Sequence, residues 1–137
     1  MSVSMIKQQM MQLLRQKNIR CAEINEIAIE AYMPGKEMET VHCIIAFGVD
    51  QLSIVDVKCQ NLFNFKEKQV NGLLACSQAN QASTLARFYL DEQGNVVAQM
   101  QQIYGGSIAL SHALLMISLF ASDVDKNYRV FGKLRWA

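Results

Sequence analysis

The chain has a single proline, Pro34, among its 137 residues, and no Pro-rich or low-complexity stretch that would serve as a hinge or linker. Charge is also scarce. Only 18% of residues are charged and the formal net charge is +1. No global field therefore draws the chain to nucleic acid or an anionic membrane, and no acidic surplus recruits a basic client. The longest apolar run, over 108–121, is too short to span a bilayer and is interrupted by Ser111, His112 and Ser118. The polar, Gln-rich start lacks the apolar stretch of a signal peptide. There is no C-x-x-C. The four cysteines (Cys21, Cys43, Cys59 and Cys76) are far apart, and neither His42 nor His112 joins one at metal spacing. These absences predict reduced, buried thiols and a cytoplasmic protein without metal or cofactor.

What is present is apolar mass. Hydrophobic residues make up 51% of the chain, more than is usual beside so little charge. A generous core would explain this, and so would an apolar patch covered by a partner; a homodimer is the expectation. The length suits one domain over 1–137.

Hydrophobic spacing predicts a first helix over 4–17, with Ile6, Met10, Leu13 and Leu14 on one stripe, Ser2 or Ser4 as cap and Asn18 as left-handed terminator. Alternation over 27–33 and 40–47 predicts two strands joined through Pro34-Gly35. Residues 52–59 form a third, whose phase changes: Leu52 and Ile54 match one face, Val55 and Val57 the other. A bulge or burial on both faces would account for that. A second helix over 66–79 aligns Val70, Leu73, Leu74 and Ser77, with Gly72 as a site of close backbone approach. A hairpin follows, in which Ala86, Phe88 and Leu90 alternate with Arg87 and Tyr89. It turns at Gly94 and returns through Val96, Ala98 and Met100. Ser107 is placed to cap a third helix, apolar nearly all round. Asp123 is placed to cap a short fourth helix carrying Val124, Tyr128 and Phe131. On the third helix, Leu110, Leu114 and Ile117 are expected in the core or in a dimer interface. The order α-β-β-β-α-β-β-α implies an α+β fold of two layers, an antiparallel sheet of about five strands with helices on one face.

No catalytic set accompanies this fold. His42 falls mid-strand and His112 inside the apolar helix, neither beside a sequence-local base, nucleophile or G-x-S-x-G elbow. Asp123-Val124-Asp125 resembles a calcium-loop fragment but lacks the glycine and terminal glutamate. The Tyr104-Gly105-Gly106-Ser107 segment has no Walker lysine. The basic tail with Tyr128, Phe131 and Trp136 carries too few charges to argue for nucleic acid. One feature is less bland. The sheet face turned from the helices carries Tyr32, His42, Arg87, Tyr89, Gln99 and Gln101, together with Glu30, Thr40, Ile44 and Val97. Tyr and Arg are enriched at protein interfaces, although open sheets also commonly keep one mixed, wet face.

The hairpin from Ala86 to Val97, its second strand ending at Tyr104, and Gly105-Gly106-Ser107 before a long apolar helix resemble the YbjN family. These are small bacterial proteins named for sensory transduction regulation. The opening helix with QLLRQKNI is similar too. Ser77-Gln78-Ala79-Asn80 lies where that family tends to carry N-x-x-N; Asn80 matches and Ser77 departs from it. The resemblance implies a type III secretion chaperone-like fold, often dimeric, that binds proteins and has no catalytic residues to transfer. A non-enzymatic, dimeric protein-binding or chaperone-like module, binding neither nucleic acid nor membrane, is the expected function. A dedicated type III secretion effector chaperone is the alternative, and a small-ligand binder or enzyme the further one.

Overall fold

The structure, a computed structural model, describes residues 2–49, 53–105 and 108–137. Helix α1 (Val3–Gln16) starts where the Ser2 hydroxyl accepts the Met5 backbone N–H at 3.2 Å, one of the orphan donors of a helix start. It stops as Asn18 turns left-handed, at φ 58°. Ile6, Met10 and Leu14 are buried as the spacing predicts. Among the described residues six strands follow in one antiparallel sheet: β1 (Cys21–Glu23), β2 (Ala28–Pro34), β3 (Thr40–Val49), β4 (Ser53–Cys59), β5 (Arg87–Leu90) and β6 (Val96–Tyr104). Their spatial order is β1-β2-β3-β4-β6-β5. Helix α2 (Gln69–Ala82) lies between β4 and β5 in sequence, and α3 (Leu110–Arg135) closes the chain. Among the described residues no helix is long and apolar enough to cross a membrane.

The three helices share one core with the inner face of the sheet, which contributes Ile29, Ala31, Met33, Val41, Cys43, Ile45, Phe47, Val55 and Val57. Each large side chain buried there stabilises the fold by about 1.5–3 kcal/mol. The α+β class, the layers and the element order agree with the sequence reading, and the strand count does not. β1 has only three residues, too few to show alternation, so it escapes pattern reading. The phase change expected in β4 is absent. Val55, Val57 and Cys59 point inward, while Ile54, Asp56 and Lys58 point outward in unbroken register with β3 and β6. Leu52, which suggested the change, lies outside the described residues.

Both later helices differ from expectation. α2 buries its small residues Gly72, Ala75, Cys76 and Ala79 and turns outward the large apolar ones. A Cβ at Gly72 would sit 2.7 Å from Phe65 Cβ and 2.8 Å from Leu90 Cδ1, so the close approach suspected there is real. α3 is one continuous helix. Ala109, not Ser107, holds its cap position, without a side-chain bond; Ser107 itself is outside the described residues. Leu114 and Ile117 belong to the core and Leu110 is half-buried, whereas Leu115 and Leu119 are exposed. No fourth helix begins at Asp123. That residue is buried in the middle of α3, and its Oδ2 accepts the backbone N–H groups of Thr84, Leu85 and Ala86 at 3.1, 2.7 and 3.0 Å. Asp125 accepts those of Lys36, Glu37 and Met38 at 2.8–3.0 Å. Positions two apart on a helix do not face the same way, so α3 holds two loops on different sides. Gly35 is required at one of them for space: a Cβ there would meet the Met38 carbonyl and lie 2.7 Å from Asp125 Oδ1.

Candidate functional site

The outer sheet face carries all six residues expected on it, but in two groups. On β2 and β3 the Tyr32 and His42 rings stack at 4.8 Å, and the Arg20 guanidinium lies 4.1 Å from the Tyr32 centroid. The Tyr32 hydroxyl donates to Glu30 at 3.0 Å, and His42 Nε2 lies 3.2 Å from the other Glu30 oxygen. The Tyr32 bond, then the His42 bond, hold the Glu30 carboxyl below the usual range. The Tyr32–Glu30 bond in turn raises the Tyr32 hydroxyl. On β5 and β6, Gln99 donates to Asp56 at 2.8 Å and accepts from the Tyr89 hydroxyl at 3.3 Å. Arg87 and Gln101 are exposed beside them. The register runs Glu30–Ile44–Lys58–Gln99–Arg87 across the sheet, so Ile44 and Lys58 separate the groups. At one end of this face Ile103, 60% exposed, stands opposite Ile54.

A second surface lies on α2, where helical spacing predicts a buried stripe. Val70, Leu73 and Leu74 of α2 are 78%, 61% and 47% exposed, and the helix has no charged residue along its length. The end of the chain is tied beside the start of α2: Asn71 Nδ2 donates to the Leu134 carbonyl, and Lys68 Nζ to those of Arg135 and Ala137. Trp136, 78% exposed, follows at that end. Helical spacing alone assigns Val70, Leu73 and Leu74 to the core. The signal that could have reversed the assignment is the small-residue series Gly72, Ala75, Cys76 and Ala79, which permits close packing.

The histidines do not converge. His42 pairs with Glu30 on the open sheet. His112, expected inside α3, is exposed with its Nδ1 3.1 Å from the Tyr104 hydroxyl. Among the described residues no group of three His, Cys, Asp or Glu could hold a metal ion. Two of the basic tail residues are ion-paired, Lys126 with Asp123 and Arg129 with Glu37, and the Arg135 guanidinium lies over the Trp136 ring. The cysteines are free thiols, three of them buried. Burial pushes Cys43 far above the ordinary thiol range, Cys59 up to about 12 and Cys76 to about 11. Since the thiolate is the nucleophile, native protein at pH 8 is expected to release at most one equivalent from an aromatic disulfide reagent promptly, and all four in urea. Two or more fast thiols would contradict this packing.

Comparison with known proteins gives one family and one fold. The family model described as "YbjN: Putative bacterial sensory transduction regulator" matches residues 9–133. No curated protein sequence matches the chain. Among solved structures, the chain is similar to the crystal structure of YbjN from E. coli, described as "a putative transcription regulator". The TM-score is 0.60 and the identity 12%, over 89% of this chain and 87% of that one. At that identity the likeness establishes the fold, and the family rests on the sequence model spanning nearly the whole chain: the protein belongs to the YbjN family.

Proposed function

We propose that this protein is a non-enzymatic regulatory module that binds protein and acts as a homodimer, with α2 at the dimer contact and the outer sheet face as the partner surface. The observation that carries the reading is the α2 surface: a charge-free helix presenting Val70, Leu73 and Leu74 to solvent. Contiguous exposed apolar surface of this kind marks interaction sites. A two-fold contact brings a patch against itself, and a face without charges meets its copy without repulsion. The sheet face supplies a different chemistry, with Tyr32, His42, Arg87, Tyr89, Gln99 and Gln101 around two polar clusters. A dedicated secretion chaperone has weaker support, since the near-neutral chain offers no acidic surplus. A small-ligand binder or enzyme would need a histidine and carboxylate enclosed together, whereas His42 and Glu30 meet on an open face.

Sedimentation velocity tests the dimer. Wild type is expected to sediment as a dimer at micromolar concentration, and Val70→Asp with Leu73→Asp as a monomer with unchanged circular dichroism. A wild type that stays monomeric throughout that range refutes the dimer. Arg87→Ala with Tyr89→Ala should leave the dimer intact and weaken partner capture; unchanged capture removes the sheet face from the proposal.

A further inference from the structure

β5 is an edge strand with β6 on one side only. Open edges invite pairing with another chain, and proteins usually cover, shorten or charge them. The flank of β5 is not sterically covered. A groove of about 670 Å³ runs between it and α2, lined in part by Leu73, Cys76, Asn80, Phe88 and Leu90. At Phe88, in the middle of β5, both hydrogen-bonding groups on that flank are nevertheless taken. The Asn80 carboxamide accepts the Phe88 backbone N–H at 2.7 Å and donates to the Phe88 carbonyl at 3.0 Å. One residue pair earlier, the outward N–H of Ala86 is held by Asp123. A primary amide offers one carbonyl and one N–H in the arrangement of a peptide unit, and Asn80 applies both to a single residue, as a neighbouring strand would.

We propose that Asn80 stands in for a missing strand, closing the β5 edge against a second copy of this chain that would otherwise pair its own β5 there and continue the sheet. The occupant barred is a second copy because two β5 strands related by a two-fold axis run antiparallel, as every pairing in this sheet does. The charged side chains at this edge serve Ala86 and not Phe88: Arg87, which also lines the groove, donates to the Ala86 carbonyl at 2.9 Å and Asp123 takes the Ala86 N–H, while α2 beside the groove is uncharged. The inference is separate from the α2 dimer, and a monomeric wild type would leave it standing.

Sedimentation over a range of concentrations, compared with wild type, tests it with two variants. Asn80→Ala removes the amide and leaves the edge open; its mean mass is expected to rise with concentration to about twofold the wild-type value or beyond. Asn80→Lys removes the same hydrogen bonds but sets a charge beside the edge, and is expected to keep the wild-type mass. Equal association of both variants would assign the effect to lost stability and overturn the proposal. So would Asn80→Ala at the wild-type mass throughout. Should Asn80→Ala not fold, hydrogen exchange of wild type decides: the Phe88 amide is expected to exchange about tenfold or more slowly than an unbonded edge amide. Exchange at the unbonded rate refutes the role.

Discussion

Asp123→Ala is expected to lower the unfolding free energy by about 3–5 kcal/mol, the largest loss for any single polar residue here. The residue is 5% exposed, and one oxygen collects three consecutive backbone N–H groups, with Lys126 3.3 Å from the other. A hydrogen bond to a charged group contributes about 1.5–3 kcal/mol, and each buried donor left unpaired costs about 1–3 kcal/mol. The bonds are not additive, since one carboxylate makes all three, and Thr84 and Leu85 can recover water more readily than the buried Ala86 N–H. Against a total stability of about 5–15 kcal/mol, the loss would bring a modestly stable domain close to unfolding at 25 °C. Urea denaturation followed by circular dichroism measures it. Asp123→Asn keeps an acceptor without the charge and should lose about half as much. A loss under about 1 kcal/mol for the alanine variant would mean that the 83–86 loop finds other partners. Ser122→Ala, exposed on the same helix, should change stability by no more than about 0.5 kcal/mol.

This residue also shows where sequence reading stops. An aspartate amid apolar residues reads as a helix start, because aspartate favours caps over helix interiors. It does cap backbone amides, but those of a loop more than thirty residues earlier, and no local pattern encodes that partner. The hairpin of β5 and β6, the inward alternation of β2 and β3, and the left-handed Asn18 were legible because each depends on neighbours in sequence. The orientation of α2 was not. Its large and small residues lie on different sides, and the choice of buried side was made by Phe65 and Leu90 crowding Gly72. Of the outer sheet face, the membership was readable from period-two alternation. Its division by Ile44 and Lys58 came only with the register of β3 against β4. Asn80 stood out only through a resemblance; its two bonds to Phe88 follow from helix end and edge strand meeting, which sequence spacing does not describe.

Phe131→Ala is expected to cost about 3–5 kcal/mol, the usual range for removing a buried phenylalanine, and its consequences should reach the interaction surface. Phe131 is 1% exposed, and its ring lies 5.3 Å from Phe88, 6.0 Å from Phe63 and 6.4 Å from Phe65, centroid to centroid. It therefore fastens the last turns of α3 to β5 and to the connection preceding α2. Those turns present the Leu134 carbonyl to Asn71 and the Arg135 carbonyl to Lys68. Loosening them frees the start of α2, where Val70, Leu73 and Leu74 are displayed. Phe131→Leu retains much of the volume and should lose only about 1–2 kcal/mol, keeping the wild-type sedimentation coefficient. In Phe131→Ala, amides of α2 near Asn71 should exchange faster than the global loss of stability accounts for, while those of β2 and β3 follow the global loss alone. Uniform acceleration across the chain would show that the aromatic cluster stabilises the domain as a whole without setting the position of α2.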